Sequence, residues 1–271
     1  MPAINAITPD KLARLIGTPA CPLLIDVRES GDFIPGAVRR DPDRVAEWAA
    51  EIGAPSAILI CHHGQSASAA AAAWLRHAGI QAEVLEGGVQ AWVDAGLPLV
   101  REAVLPPRDA AGRTRWVTRA RPKVDRIACP WLIRRFVDPA AVFLFVATPD
   151  VPAVSERMDA APFDVDGAYW SHRGEQCSFD TMIAELGLAC LPALARLAVI
   201  VRGADTARPE LAPQAAGLVA ISLGLSRMYA DDLAQLEAGM LVYDAFYRWC
   251  RDAVDETHDW VSHTPKARVK A

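Results

Sequence analysis

An apolar run that stops at a cysteine and restarts as a helix most restricts how this chain folds. Residues 57–79 read AILICHHGQSASAAAAAWLRHAG. The stretch 56–61, SAILIC, is a short apolar run of the kind that forms a buried strand. From Ala67 to Ala78 the chain is alanine-rich, and Gly79 stands where helices favour a glycine stop. A strand therefore delivers Cys61 to the carboxyl edge of a sheet, facing a helix N-terminus, where ligands gather in open parallel sheets.

The same alternation runs through the first hundred residues. In ITPDKLARLIG, Thr8 is placed to cap a helix and Pro9 to start it. PLLIDV (22–27) reads as a strand, 42–52 as an amphipathic helix, QAEVLEG (81–87) as a third strand and GVQAWVDAG (88–96) as a short helix. Strands alternating with helices predict an α/β domain over 1–103, a parallel sheet with helices on both faces. Residues 97–115 hold three prolines and a glycine without periodicity, so 104–113 is expected to be a linker. The remainder, 114–271, predicts an α+β, mainly helical second domain. RWVTRA and AVFLFVA (141–147) read as strands, and Asp125 is placed to cap RIACPWLIRRFVD. Helical segments follow near 150–160, 179–187, 191–203, 210–226 and 230–257, and the tail HTPKARVKA is expected to fray.

Only a thiolate is a good nucleophile, and free cysteine titrates about 1.5 units above neutrality. A helix N-terminus and inward-pointing backbone amides lower that value. HHGQS is placed to wrap the Cys61 sulfur, with Gly64 permitting unusual dihedrals. A cysteine-loop phosphatase needs an arginine fork for its phosphate. This loop ends Gln65-Ser66-Ala67-Ser68 and is short, which suits one extra sulfur atom on Cys61. His62 and His63 read either as acid/base groups or as solvated loop residues, and Gln65 and Ser66 as sources of loop amides. Asp26 and Arg28 read as a structural pair, and Trp74 and Trp92 as core.

Four motifs in order, LLIDVRE, IPGAV, CHHGQSAS and EGGVQAWVDAGLPL, resemble the single-domain rhodanese family of sulfurtransferases. The approach SGDFIPGA departs from that family in carrying Phe33 where a histidine is usual. The resemblance implies a catalytic Cys61 that forms a persulfide from a thiosulfate-like small-molecule donor and passes the sulfur to a thiophilic acceptor. His62, His63, Gly64, Gln65 and Ser66 would bind the substrate, and sulfur transfer would require no cofactor.

The second half concentrates cations around RWVTRARPKVDRIACPWLIRRFVDP, read either as a solvated surface or as an oxyanion site built from Arg119, Arg126 and His172. PFDVDGAYWSHRGEQCSFD holds metal-ligand types, so His172, Cys177 and Asp180 are expected as a possible metal set. Their spacing matches no known signature, and Asp180 equally suits a helix cap. Arg202 and Asp205 read as a pocket edge or a salt bridge. KVDRIACPWLIRRFVDP, FLFV, PFDVDG, CSFD, IVRGADT and VYDAFYRWCRD resemble the C-terminal domain of the ChrB chromate-resistance family. That resemblance implies a chromate-responsive partner to the first domain. The alternative is a chromate or metal sensor whose first half is non-catalytic. A third class, an oxyanion reductase, would need Cys129 or Cys177 as a second thiol.

Composition narrows the field. A formal net charge of -5 argues against non-specific nucleic-acid binding. No run of about 18 apolar residues predicts a membrane span. The N-terminus lacks a basic start followed by an apolar stretch, so a cytoplasmic protein is expected. The six cysteines form no C-x-x-C pair, which fits reduced thiols.

Overall fold

The computed structural model describes residues 5–256; the tail 263–271 lies outside the described residues. The first half contains β1 (Ala6–Ile7), α1 (Pro9–Ala13), β2 (Leu23–Asp26), β3 (Ala37–Arg39), α2 (Val45–Trp48), β4 (Ser56–Ile60), α3 (Ser66–His77), β5 (Gln81–Leu85) and α4 (Gly88–Asp94). Its five strands form one parallel sheet in the order β1-β5-β4-β2-β3.

Strand pleating sends alternate residues to opposite faces. Leu24, Ile58, Ile60 and Leu85 join a core with Leu12 of α1 and with Val89 and Trp92 of α4. Ile25, Ala57, Leu59 and Ala82 pack on the other face against Trp48 of α2 and Ala71, Ala72 and Leu75 of α3. The sheet is thus covered on both faces, as its continuous apolar strands require. Trp74, expected in the core, is 45% exposed. The buried stripe of α3 runs Ser68, Ala71, Ala72 and Leu75, and Trp74 lies off it.

The second half contains β6 (Arg115–Arg119), α5 (Asp125–Phe136), β7 (Val142–Val146), α6 (Val151–Met158), β8 (Ala161–Pro162), α7 (Ser178–Glu185), α8 (Pro192–Asp205), α9 (Gln214–Met228) and α10 (Asp232–Asp252). A small parallel sheet, β7-β6-β8, comes first and helices make up most of the rest. Parallel pairing follows from the helices α5 and α6 that connect successive strands.

The face of the first sheet that carries α1 and α4 does not end in solvent. Its cluster continues through Trp131, Phe136 and Tyr247 into the second half. Gly36 donates its N–H to the Phe136 carbonyl (2.6 Å), and Arg101 donates to that of Leu186 (3.2 Å). Within 104–113, Val104 and Leu105 pack against this core, and Arg108 reaches the buried Asp138 carboxylate at 3.4 Å. Among the described residues, no helix is long and apolar enough to cross a membrane.

Candidate functional site

β4 is buried from Ala57 to Ile60, and the next residue, Cys61, steps past the sheet edge into a half-buried position. The loop that follows is clamped to α4. Val89 donates its N–H to the Cys61 carbonyl (2.9 Å), and Gln90 donates to that of His62 (3.0 Å). Two glycines permit this approach. A Cβ at Gly64 would lie 2.5 Å from the Leu85 carbonyl oxygen, and one at Gly88 would lie 2.4 Å from that of Cys61. Both have positive φ, +70° and +63°, which side chains rarely adopt.

The Cys61 sulfur accepts the Gln65 N–H at 3.3 Å and lies 3.0 Å from Ser68 Oγ, in the first turn of α3. Ser68 also reaches the Gln65 carbonyl at 3.0 Å. In the thiol form, S–H donates to Ser68 Oγ while Ser68 donates to that carbonyl. On ionisation, the Ser68 hydroxyl turns to the sulfur. Burial alone raises the Cys61 pKa. The Ser68 hydroxyl and the backbone N–H groups of Gln65, His63 and Ser68 outweigh it, so the thiol titrates below its ordinary value.

A second constellation lies in the second half. Asp125 opens α5, Asp164 follows β8, His172 lies in the loop before α7, and Asp205 ends α8. His172 Nε2 is 3.5 Å from Asp125 Oδ2, 3.3 Å from Asp164 Oδ1 and 3.2 Å from Asp205 Oδ2. Ser178 ties two of these carboxylates together. Its N–H donates to Asp125 Oδ2 (2.6 Å) and its hydroxyl to Asp164 Oδ1 (2.9 Å). The other Asp164 oxygen accepts Arg119 Nη2 at 2.9 Å and lies 3.3 Å from Arg126 Nε. Burial lowers the Arg126 pKa, and the neighbouring Arg119 charge adds to that.

Comparison with known proteins assigns both halves. The rhodanese-like domain family matches residues 8–95, and the ChrB C-terminal domain family matches residues 116–250. This chain is a rhodanese-like domain joined to a ChrB C-terminal domain. Protein ChrB of Cupriavidus metallidurans is 38% identical over 146 residues, 53% of this chain and 43% of the relative, so the chain spans less than half of that relative's length. Among solved structures, a rhodanese-related protein from Thermoplasma volcanium is 27% identical (TM-score 0.32), covering 36% of this chain and 98% of its own. The thiosulfate sulfurtransferase from Pseudomonas aeruginosa is also 27% identical (TM-score 0.28), over 36% of this chain and 19% of its own.

In the rhodanese-like domain, the backbone N–H groups of Gln65 and His63 face the sulfur and Gly64 packs against Leu85 and Gly87, while the rings of His62 and His63 are exposed with centroids 6.2 Å apart. Ser66 begins α3, and the side chain that reaches the sulfur is Ser68, one the spacing did not single out. Asp26 and Arg28 pair at 2.7 Å, and Arg28 also donates to the Asp32 carbonyl, bracing the neighbouring loop.

In the ChrB C-terminal domain, three expectations are corrected. Arg119, Arg126 and His172 do converge, but Asp125, Asp164 and Asp205 interleave with them. An oxyanion there would meet three carboxylates, so the cluster is not a bare cation pocket. His172, Cys177 and Asp180 do not form one ligand set. Asp180 folds back onto Cys177, accepting its N–H at 3.1 Å and its S–H at 3.2 Å as a helix cap. Burial and the Asp125 charge push the Cys177 thiol up, and its S–H is taken by Asp180 rather than turned toward His172. The ligand-type atoms that gather with His172 belong to Asp125 and Asp164, all within 4.8 Å of one another. Nor does Asp125 cap α5. Val124 occupies the cap with φ +38°, and the Asp125 carboxylate turns to Ser178 instead. Asp205 faces His172, and Arg202 approaches Asp180 at 3.7 Å. Cys129 and Cys177 are fully buried, and burial raises both thiols, which leaves neither suited to resolve a bond at Cys61.

Proposed function

We propose that this chain is a sulfurtransferase in which Cys61 carries sulfane sulfur as a persulfide. The observation that carries this reading is a half-buried sulfur that accepts a backbone N–H and lies 3.0 Å from a hydroxyl at a helix N-terminus, with its pKa lowered. The Cys61 thiolate attacks the outer sulfur of a thiosulfate-type donor. A sulfur–sulfur bond forms to Cys61, the donor's own sulfur–sulfur bond breaks, and sulfite leaves with its electron pair. A thiophilic acceptor, such as cyanide or a thiolate, then attacks the outer sulfur and Cys61 departs as thiolate. The same N–H and hydroxyl that hold the thiolate hold the leaving sulfur in this second step, so both steps draw on one preorganised set of donors.

The chromate-responsive role of the second half rests on its relation to ChrB and on the sequence resemblance. With Arg119 and Arg126 paired to Asp164, that role does not require these arginines to grip the anion. The test is a cyanide-trap thiosulfate assay, with mass spectrometry after thiosulfate exposure. Wild type gains about 32 Da, one sulfur atom, at Cys61 and turns over, whereas Cys61→Ala does neither. Equal turnover in both proteins, or no adduct on wild type, overturns the persulfide role and favours a sensor with a non-catalytic rhodanese-like half.

A further inference from the structure

We propose that Asp125, Asp164 and His172, with Asp205 beside them, bind one divalent transition-metal ion of the zinc or manganese type. Three segments deliver these residues to one place, the start of α5, the connection between β8 and α7 that supplies both Asp164 and His172, and the end of α8, although 80 positions separate Asp125 from Asp205. The separations from His172 Nε2 to three carboxylate oxygens are 3.2, 3.3 and 3.5 Å. Ligand bonds of about 2.0–2.2 Å in a tetrahedral shell place neighbouring donors about 3.3–3.6 Å apart. The three separations that run from His172 are of about that length, and the Asp125 and Asp164 ligand atoms lie within 4.8 Å of each other.

A second observation is independent of this spacing. The Asp125 side chain is fully buried, and its Oδ1 accepts no hydrogen bond among the described residues, the Cys177 thiol beside this carboxylate being donated to Asp180. A buried carboxylate with an unsatisfied oxygen is costly unless something cationic meets it. The two nearby arginines pair with Asp164. Asp125, Asp164 and Asp205 thus place three carboxylates around one imidazole, and a divalent cation among them would offset their mutual repulsion.

The surroundings match what orients metal ligands. Ser178 donates to both Asp125 and Asp164, and Arg119 and Arg126 hold the far oxygen of Asp164. One imidazole among carboxylates suits zinc, manganese or iron better than calcium or magnesium, which favour all-oxygen sets. The His172 side chain is 39% exposed, which gives an ion a route in from solvent.

The full-length protein, stripped with chelator, is titrated with Mn²⁺ and with Zn²⁺ by calorimetry, and bound metal is counted by elemental analysis after dialysis. Wild type is expected to hold one equivalent of at least one of these ions. His172→Gln and Asp125→Asn are expected to weaken it by about tenfold or more, and Cys61→Ala to leave it unchanged. His172→Gln alters a partly exposed side chain, and a metal-free melt matching wild type shows that it folds. Added ion raises the wild-type melting temperature and leaves that of His172→Gln unmoved. The proposal is overturned if neither ion binds the wild type, or if folded His172→Gln binds as tightly as wild type. It is equally overturned if the bound zinc is lost in Cys61→Ala. None of these readouts depends on sulfur transfer, so the metal site and the persulfide reading fail separately.

Discussion

Ser68 Oγ lies 3.0 Å from the Cys61 sulfur, which makes the third residue of α3 a direct partner of the nucleophile. Removing the hydroxyl takes away one donor to the thiolate and leaves the backbone N–H groups in place. A hydrogen bond to a charged group contributes about 1.5–3 kcal/mol, so Ser68→Ala is expected to slow Cys61 alkylation near neutral pH by roughly tenfold or more. Ser68→Thr, which retains a hydroxyl, should recover part of the rate. Iodoacetamide kinetics across pH measure both. An unchanged profile for Ser68→Ala would assign the lowered pKa to the backbone N–H groups of Gln65, His63 and Ser68 alone.

The same lowered pKa links Cys61 to stability. Between the folded and unfolded pKa values the unfolded chain binds the extra proton, so stability rises with pH through that window. The contribution is fully present above the unfolded cysteine value, about 8.5, and is lost as pH falls through the folded value. The stability difference between wild type and Cys61→Ala should therefore widen in favour of wild type as pH is raised from about 6 to about 9. Urea midpoints at a series of pH values test the sign. A flat difference would mean that burial cancels the donors.

The nucleophile was legible because local signals specify it: an apolar strand, a short loop and an alanine-rich helix occupy consecutive positions. β3 was not legible, because Ala37–Arg39 follows Pro35 and Gly36 and runs into charge, and it holds only as the sheet's edge beside β2. β8 is two residues long, one of them Pro162, and its pairing with β6 comes from the tertiary fold. The acidic cluster was legible only in pieces. Asp125 has the sequence position of a helix cap, yet its carboxylate answers a backbone N–H 53 positions away. Cation-rich motifs around Arg119 and Arg126 suggested an anion pocket because the carboxylates that neutralise them lie far off in sequence. Trp74 was misplaced because an alanine-rich helix gives little contrast between its faces, and the structure buries the smaller one.

Gly88 should tolerate no side chain. Its φ of +63° already disfavours one, and a Cβ would sit 2.4 Å from the Cys61 carbonyl oxygen and 2.6 Å from the His62 carbonyl. The left-handed conformation alone costs about 1–2 kcal/mol for a non-glycine residue. The backbone contact adds to this, because a clamped loop has little room to yield. Gly88→Ala is expected to lower stability by more than that amount and to raise the Cys61 pKa, because the loop must lift from α4. Denaturant titration and alkylation kinetics read the two effects separately.

The shared core predicts that the two halves unfold together. Phe136 is fully buried at the end of α5, stacks edge-on against Trp131 and Tyr247 (5.7 and 5.5 Å between centroids), and offers its carbonyl to Gly36 of the first half. Truncating a buried phenylalanine costs about 3–5 kcal/mol. If the core is one unit, Phe136→Ala lowers a single cooperative transition, and the low-pKa behaviour of Cys61 is lost over that same transition although Cys61 lies in a different hydrophobic cluster. Pulsed alkylation of Cys61 alongside the tryptophan fluorescence of the second half gives the comparison. Two separated transitions, with Cys61 surviving the melting of the second half, would show instead that the apolar contact between the halves is too weak to couple them.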